Sequence, residues 1–325
     1  LGALGACEAV IKVLQKYDYH ELTASAGCQL IVALLAKGQS LNAINCTRLN
    51  NAGCSKTLRP ILEGHRWSQQ VALWGCRAIE AMVGDLESNA LKVGSGGICG
   101  AIVVAMQTHQ ASAEVAGAGC GAIASLALCP QNTFVLGAEG GCEAVVFAIR
   151  LLFMKRDVMI VACRALARLL ELESNGVTAV QADAASALHC LLAHYSFPSV
   201  DVTGDTSAIE TEGGGTASLV LIALSCILSL TRASETCCRD LCELGLCPVV
   251  FKIIGAPSSS RELKIEACYV VHQLILHCDD SALLFSEMKN SSKKVGDIFD
   301  DAIEALVVKF PYDMEVMDAI ILLKQ

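Results

Sequence analysis

The chain has 325 residues, a formal net charge of −9, 54% hydrophobic residues and 18% charged residues. This high apolar content excludes a chain that is disordered over most of its length. The acidic balance argues against a protein that binds nucleic acid over its whole surface. Aromatic residues make up only 5% of the chain, so we expect a core built from Ala, Val, Leu, Ile and Cys.

Helices are predicted throughout the chain, because apolar residues recur at helical spacing and no segment alternates as a strand would. Two anchor positions, usually cysteines, recur about 21 residues apart. The clearest pairs are Cys7–Cys28, Cys54–Cys76, Cys99–Cys120, Cys142–Cys163 and Cys247–Cys268. The second anchors, which include Cys226, follow one another at steps of 48, 44, 43, 63 and 42 residues. Apart from the step of 63, these values match helical repeats of about 40 to 47 residues and exclude repeats of 33 or 34.

Seven repeat units follow from this spacing. Their approximate limits are 1–45, 46–91, 92–134, 135–177, 178–238, 239–285 and 286–325. Asn132 and Asn175 each lie ten residues before a first anchor, which places the first anchor of the fifth unit at Ala185. The chain begins inside what reads as a repeat, so we expect it to be a piece of a longer array.

The long fifth unit contains an insertion, residues 196–216, which we predict to be an acidic, glycine-rich loop. Its acidic residues are candidates for a functional element: Asp201, Asp205, Glu210 and Glu212. The uncharged run over residues 213–231 has an apolar part of about 14 residues, whereas a bilayer requires about 20. We therefore predict a buried helix there and no membrane span.

Three stretches carry a resemblance to a known family: Gly-Cys-Glu-Ala-Val-Val at 141–146, Val-Ala-Cys-Arg-Ala-Leu-Ala at 161–167 and Ala-Leu-Cys-Pro-Gln-Asn at 127–132. These stretches give the chain a resemblance to the armadillo-repeat family. It implies an all-α, right-handed solenoid of about seven armadillo-type repeats, whose third helices line a concave groove that binds extended peptides or partner proteins. HEAT repeats are the alternative.

In such a groove, the residues one and five positions after each second anchor should face the partner. The candidate partner-binding residues are Gln29, Arg77, Ser125, Arg164, Arg168, Tyr269 and Gln273. Nuclear-import adaptors of the family typically carry Trp and Asn at these positions; six repeats of this chain have neither, so basic cargo is not expected.

The three arginines of this set favour an acidic or phosphorylated segment, because Arg binds carboxylates and phosphates through two parallel hydrogen bonds. The alternative is that they only solvate an exposed helix face. Trp67, Trp74 and Tyr269 are candidate aromatic anchors for a partner. For the two tryptophans, core or turn packing is the alternative.

The eighteen cysteines include no Cys-x-x-Cys pair, which removes the usual zinc-ribbon and thioredoxin signals. The densest cluster, Cys237, Cys238, Cys242 and Cys247, fits a helix and its following turn better than a metal or disulfide site. We predict that most cysteines are buried, unpaired thiols, which implies a reducing compartment such as the cytoplasm. No metal or other cofactor is predicted.

No catalytic motif of a serine hydrolase, a P-loop nucleotidase or a zinc protease occurs in the sequence. Gly94, Gly96, Gly97 and Gly100 resemble a dinucleotide-binding loop only superficially. The predicted function is that of a non-enzymatic scaffold or adaptor that binds a partner protein within a larger assembly, of which cytoskeletal and ciliary assemblies are examples. The alternative is a regulatory armadillo region of a larger enzyme, a kinase or a ubiquitin ligase.

Overall fold

The computed structural model describes residues 5–36, 42–196, 207–256 and 259–277. Over these residues the chain contains seventeen α-helices and no strand. It forms two compact units, Leu1–Thr178 and Ala179–Gln325. The predicted seventh repeat, 286–325, lies outside the described residues, and the limits of the seven repeats stay a prediction.

The first unit is built from helices that occupy three layers. The first helices of its repeats are α3 (Asn42–Asn51), α6 (Glu87–Gly94) and α9 (Pro130–Ala138), followed by α12 (Glu173–Gln181), which begins in this unit. The second helices are α1 (Ala6–Lys16), α4 (Cys54–Gly64), α7 (Ile98–Thr108) and α10 (Gly141–Leu152). The third helices are α2 (Glu21–Leu34), α5 (Gln69–Val83), α8 (Ala113–Leu126) and α11 (Arg156–Leu169). The third helices make the most extensive contacts, each with the next one in the order α2, α5, α8, α11.

A residue in the left-handed conformation precedes each second helix and turns the chain out of the first helix. Gly5, Gly53, Gly97 and Gly140 have φ angles of 82°, 82°, 72° and 87°, which glycine adopts without steric cost. In the second unit Asp183 takes the equivalent place with φ 67°. The left-handed backbone conformation therefore explains why glycine recurs in these turns.

Buried asparagines tie consecutive repeats together. Asn132 Nδ2 donates to the carbonyl oxygens of Ala90 and Leu126, at 2.8 and 3.0 Å. Asn175 Nδ2 donates in the same way to Thr133 and Leu169, at 3.2 and 2.9 Å. Each amide thus satisfies a carbonyl at the end of a third helix and one in the first helix of the preceding repeat. The equal spacing of Asn132 and Asn175 from the next anchor has this structural cause.

The cysteines are buried, as predicted. Sixteen of the seventeen described cysteines are buried, Cys190 is exposed, and no two of those seventeen are joined in a disulfide. Cys28, Cys76, Cys120 and Cys163, the second anchors of the first four repeats, lie on the buried sides of α2, α5, α8 and α11. Burial raises the pKa of the Cys28, Cys76 and Cys163 thiols to about 12.

The second unit contains helices α13 (Ala184–Tyr195), α14 (Ser207–Ala233), α15 (Glu235–Glu243), α16 (Leu246–Gly255) and α17 (Arg261–His277). Within it, α14 packs mainly against α17 and α13. Residues 216–233 of α14 are long and apolar enough to cross a membrane by length and composition alone, but half of this segment is buried inside the structure. Leu219, Ala223 and Leu230 are fully buried, which is the packing of a core helix.

The prediction of a loop at 196–216 was wrong over its second half. Residues 207–216 form the first part of α14, and Ser196 ends α13. Adding a residue to an existing helix requires no new nucleation, so the apolar helix extends back through Gly213, Gly214 and Gly215 despite the low helix propensity of glycine. Asp201 and Asp205 lie outside the described residues. Glu210 and Glu212 lie on α14, but their side chains are outside the described part.

Candidate functional site

The exposed surface of α2, α5, α8 and α11, here called the third-helix face, contains most of the predicted partner-binding residues. Ser68 Oγ and Ser112 Oγ each accept a 3.3 Å hydrogen bond from a backbone N–H in the first turn of α5 and α8, which fixes where these helices begin. In α2, α5 and α11 the residue after the buried anchor cysteine is exposed; these residues are Gln29, Arg77 and Arg164. In α8 the residue after the anchor is Gly121, which is buried.

A depression of about 430 Å³ lies between α5, α8 and α11 on this face. Arg77 and Glu80 line it from α5, Glu114 from α8 and Asp157 from α11. The depression exists because α8 presents Gly117 there, which has no side chain to fill it. At Gly121, one turn further along α8, an added Cβ would lie 2.8 Å from a carboxylate oxygen of Glu80, so glycine also allows Glu80 to lie across α8.

A second depression, of about 330 Å³, lies between α2, α5 and α8. Its lining includes Val32 and Leu35 near the end of α2, and the predicted residue Ser125 on α8. Arg77 and Glu80 belong to both depressions. These two residues therefore form the wall that the two depressions share.

Arg77 stacks on an aromatic ring. Its guanidinium carbon lies 4.9 Å from the centre of the Trp74 ring, a distance at which the cation is attracted to the π system. Trp74 is half-buried, whereas Trp67 is 76% exposed. Of the two interpretations left open for the tryptophans, core packing is thus excluded for Trp67, and Trp74 lies beside the third-helix face.

The other two predicted arginines differ in their surroundings. Arg164 is exposed and makes no hydrogen bond or ion pair with the described residues. Arg168 Nη1 lies 3.1 Å from Glu171 Oε1, and both side chains are largely solvated. An exposed pair of this kind contributes little to stability, but it occupies the Arg168 guanidinium in part. Arg77 and Arg164 are therefore the two best-placed cations of the face.

Sequence reasoning missed the acidic residues of this face, Glu80, Glu114 and Asp157. The face is not a strip of one charge, since these three carboxylates line the same depression as Arg77. Glu114 and Asp157 lie six residues before their anchors, in the first turns of α8 and α11, where the helix dipole favours an anion. Their 43-residue separation, and the i, i+3 spacing from Arg77 to Glu80, are the signals that could have found them.

The remaining predicted residues are dispersed. Gln29 donates to Ser25 Oγ at 3.3 Å and lies on α2, the first helix of the face. Tyr269 and Gln273 are half-buried on α17 in the second unit. The structure thus brings Arg77 and Ser125 to the depressions and leaves Gln29 and Arg164 on flanking positions of the same face.

The cysteines and the glycines at 94–100 also bear on two other kinds of site, a metal site and a dinucleotide-binding loop. The described residues contain no group of three or more His, Cys, Asp or Glu side chains that could hold a metal ion. The glycines at 94–100 serve helix packing: an added Cβ at Gly94 would clash with the Asn132 amide, and one at Gly100 would meet the Glu139 carboxylate at 3.0 Å. Close approach of neighbouring helices therefore explains Gly94 and Gly100, whereas Gly97 has the positive φ angle described above.

No family model matches this chain, and no curated protein sequence matches it. Solved structures do match. A designed armadillo repeat protein shares 17% sequence identity, over 82% of this chain and 99% of that one, with a TM-score of 0.61. Another, in complex with the peptide (KR)4, shares 16% identity over 83% of this chain and 99% of that one, with a TM-score of 0.60.

A third match is a structure that concerns a phosphorylation switch controlling the interaction between cadherin and β-catenin. It shares 14% identity, over 98% of this chain and 68% of that one, with a TM-score of 0.54. At identities this low the likeness establishes the fold alone. The chain has the armadillo-repeat fold, an all-α solenoid, as the sequence predicted.

Proposed function

We propose that this chain is a non-enzymatic scaffold that binds an extended segment of a partner protein along the third-helix face. The observation that carries the proposal is the pair of adjoining depressions that share Arg77 and Glu80. Stacked helices offer an extended chain a repeated set of side chains, one set per repeat. The solved structures of the same fold support the proposal, since one holds the peptide (KR)4 and one concerns the binding of cadherin to β-catenin.

The segment carries two acidic or phosphorylated residues, which Arg77 and Arg164 bind. These arginines lie on α5 and α11, with α8 between them. Packed helices are about 8–10 Å apart, so the two guanidinium groups are separated by roughly 16–20 Å. An extended chain advances about 3.3 Å per residue. The two anionic residues of the partner are therefore about five or six positions apart.

Between these two contacts, one partner side chain enters the depression over Gly117. Glu80, Glu114 and Asp157 line that depression, and like charges opposite one another are unfavourable. The residue that enters is accordingly polar or cationic and not acidic. The recognised segment has alternating character: an anion, a neutral or cationic residue, and a second anion.

The test is a selection from a phage-displayed library of random peptides, followed by affinity measurements with labelled peptides by fluorescence anisotropy. We expect enriched peptides with Asp or Glu five or six residues apart, and binding that weakens as salt concentration rises. Arg77→Glu combined with Arg164→Glu should weaken binding at least tenfold. Arg232→Glu combined with Arg239→Glu, an equal charge change on exposed residues of α14 and α15, is the matched control and should have no effect.

A second variant tests the depression without a change of charge. Gly117→Leu fills the space over α8, and its new Cβ would meet only Val158 Cγ2, at 3.7 Å. Leucine is a better helix former than glycine, so the fold should be retained while peptide binding is lost. Full binding by this variant would place the partner on another surface and overturn the proposal.

The proposal also places the protein in a reducing compartment, the cytoplasm, as a subunit of a larger assembly such as a cytoskeletal or ciliary one. The buried cysteines of the described residues, no two of which are joined in a disulfide, support the compartment. Purification of the native protein from its own cells, with identification of co-eluting subunits, tests the assembly. Elution of the protein alone at its own mass would contradict it.

A further inference from the structure

Three large apolar side chains lie almost fully exposed on the turns that precede α2 and α5 and on the first turn of α2. Tyr19, Leu22 and Trp67 are 75%, 76% and 76% exposed. Single exposed apolar residues are common on proteins, but contiguous patches mark interaction sites. Trp and Tyr are also the residue types that most often dominate binding energy at interfaces. We call these three residues the turn patch.

Two hydrogen bonds hold the members of the turn patch side by side. His65 Nε2 lies 2.5 Å from the carbonyl oxygen of Asp18, and Ser68 Oγ donates to Glu21 Oε1 at 2.6 Å. Tyr19 directly follows Asp18, Leu22 directly follows Glu21, and Trp67 lies between His65 and Ser68. The chain segments 18–21 and 65–68 are therefore fixed against each other, and the patch is preformed.

The polar groups of the patch are mainly donors. The Tyr19 hydroxyl and the Trp67 indole N–H make no hydrogen bond with the described residues. The Arg66 guanidinium lies 5.1 Å from the centre of the Trp67 ring, and Lys16 lies 5.1 Å from that of Tyr17. Asp18 and Glu21 are exposed anions among them, and Glu21 accepts the Ser68 hydrogen bond. The surface thus offers two aromatic faces, unused N–H and O–H groups, and one cation, Arg66, beside the Trp67 ring.

We propose that the turn patch binds a proline-rich segment of a partner protein in the polyproline II conformation, with a carboxylate beside the prolines. Such a segment has three residues per turn and a rise of about 3.1 Å, so prolines on one side recur about every 9.3 Å. Tyr19 and Trp67 each lie nine residues before the second anchor of consecutive repeats, and packed helices of consecutive repeats are about 8–10 Å apart. The two spacings agree.

Hydrogen bonding and charge favour the same ligand. A polyproline II segment has no internal hydrogen bonds and its prolines have no N–H, so its backbone offers acceptors only. Those acceptors match the donors of Tyr19 and Trp67, and the carboxylate matches Arg66 beside the Trp67 ring. Aromatic surfaces of this type bind proline-rich segments in other proteins. The turn patch lies apart from the depressions of the third-helix face and does not depend on the function proposed for them.

The experiment uses a fluorescein-labelled peptide of nine prolines between two glutamates, followed by anisotropy. We expect saturable binding to the whole chain, weakened at least tenfold by Trp67→Ser and by Tyr19→Ser and largely retained by Trp67→Tyr. Phe134→Ser, on an aromatic side chain of α9 that is 62% exposed, is the control and should bind normally. Since all three positions are exposed, these variants should keep the fold, which circular dichroism verifies.

Trp67 itself provides an independent signal. The chain has only two tryptophans, so Trp74→Phe leaves Trp67 as the sole one, and its emission should shift on peptide binding. A Gly-Ser peptide with the same glutamates should not bind. Equal binding of that peptide, or an emission shift with phosphatidylserine vesicles but not with the proline peptide, would overturn the proposal. Because neither Arg77 nor Gly117 contributes to this patch, variants of the third-helix face should bind the proline peptide normally.

Discussion

At the scale of the residue, single backbone conformations set the turns of this fold. Gly53 precedes α4 with φ 82°, and an added Cβ would meet no atom within 4 Å. We expect Gly53→Ala to lower the free energy of unfolding by about 1–2 kcal/mol, because the left-handed conformation brings Cβ close to the following carbonyl. The measurement is urea unfolding followed by circular dichroism.

Gly64 gives a matched control for that substitution. It ends α4 with an ordinary backbone conformation, and a Cβ there would also meet no atom within 4 Å. Gly64→Ala should leave stability unchanged or raise it by up to about 1 kcal/mol, since alanine favours helix over glycine. Equal losses in both variants would show that φ is not the cause.

Residue-level signals predicted more of the fold than of the site. Asn132 and Asn175 could be used to set the register because both make the same pair of buried hydrogen bonds, in two consecutive repeats. Glu114 and Asp157 make no comparable hydrogen bond with the described residues, so the anchor pattern did not mark them. Their importance depends on the space above Gly117, and that space exists only after three helices have packed.

At the scale of the element, the limits of α14 were the least predictable, because glycines and acidic residues are typical of loops while helix extension is cooperative. Replacing Gly213, Gly214 and Gly215 with alanine tests the observed helix. Each change should favour the helix by about 0.8–1 kcal/mol. We expect slower amide hydrogen exchange over residues 207–216 and an unchanged fold elsewhere.

A loop at these positions would respond differently. If residues 207–216 were a loop, the three alanines would leave amide exchange there fast and would not change helical content. Serine at the same three positions is a useful comparison, because serine favours helix less than alanine but more than glycine. A graded response from glycine to serine to alanine would support the extended α14.

At the scale of the whole molecule, the buried thiols link the stability of the array to pH. The thiols of Cys28, Cys76 and Cys163 have a pKa raised from 9.0 to about 12, mainly because burial disfavours the thiolate. Between these values an unfolded chain releases thiol protons that the folded chain retains. The contribution of these thiols to the free energy of unfolding is therefore fully present below about pH 9 and falls as pH rises towards 12.

The size of this effect can be measured from the pH dependence of the melting temperature between pH 8 and pH 11. A shift of one pKa unit corresponds to about 1.4 kcal/mol, so several buried thiols together should cause alkaline unfolding. Cys28→Ala should lower stability at pH 8 by leaving a small cavity but should make the decline above pH 9 shallower. Cys190→Ala, at the exposed cysteine, should leave the slope unchanged. A melting temperature that stays constant up to pH 11 would contradict this prediction. It would mean that the thiols ionise as readily in the folded array as in the unfolded chain.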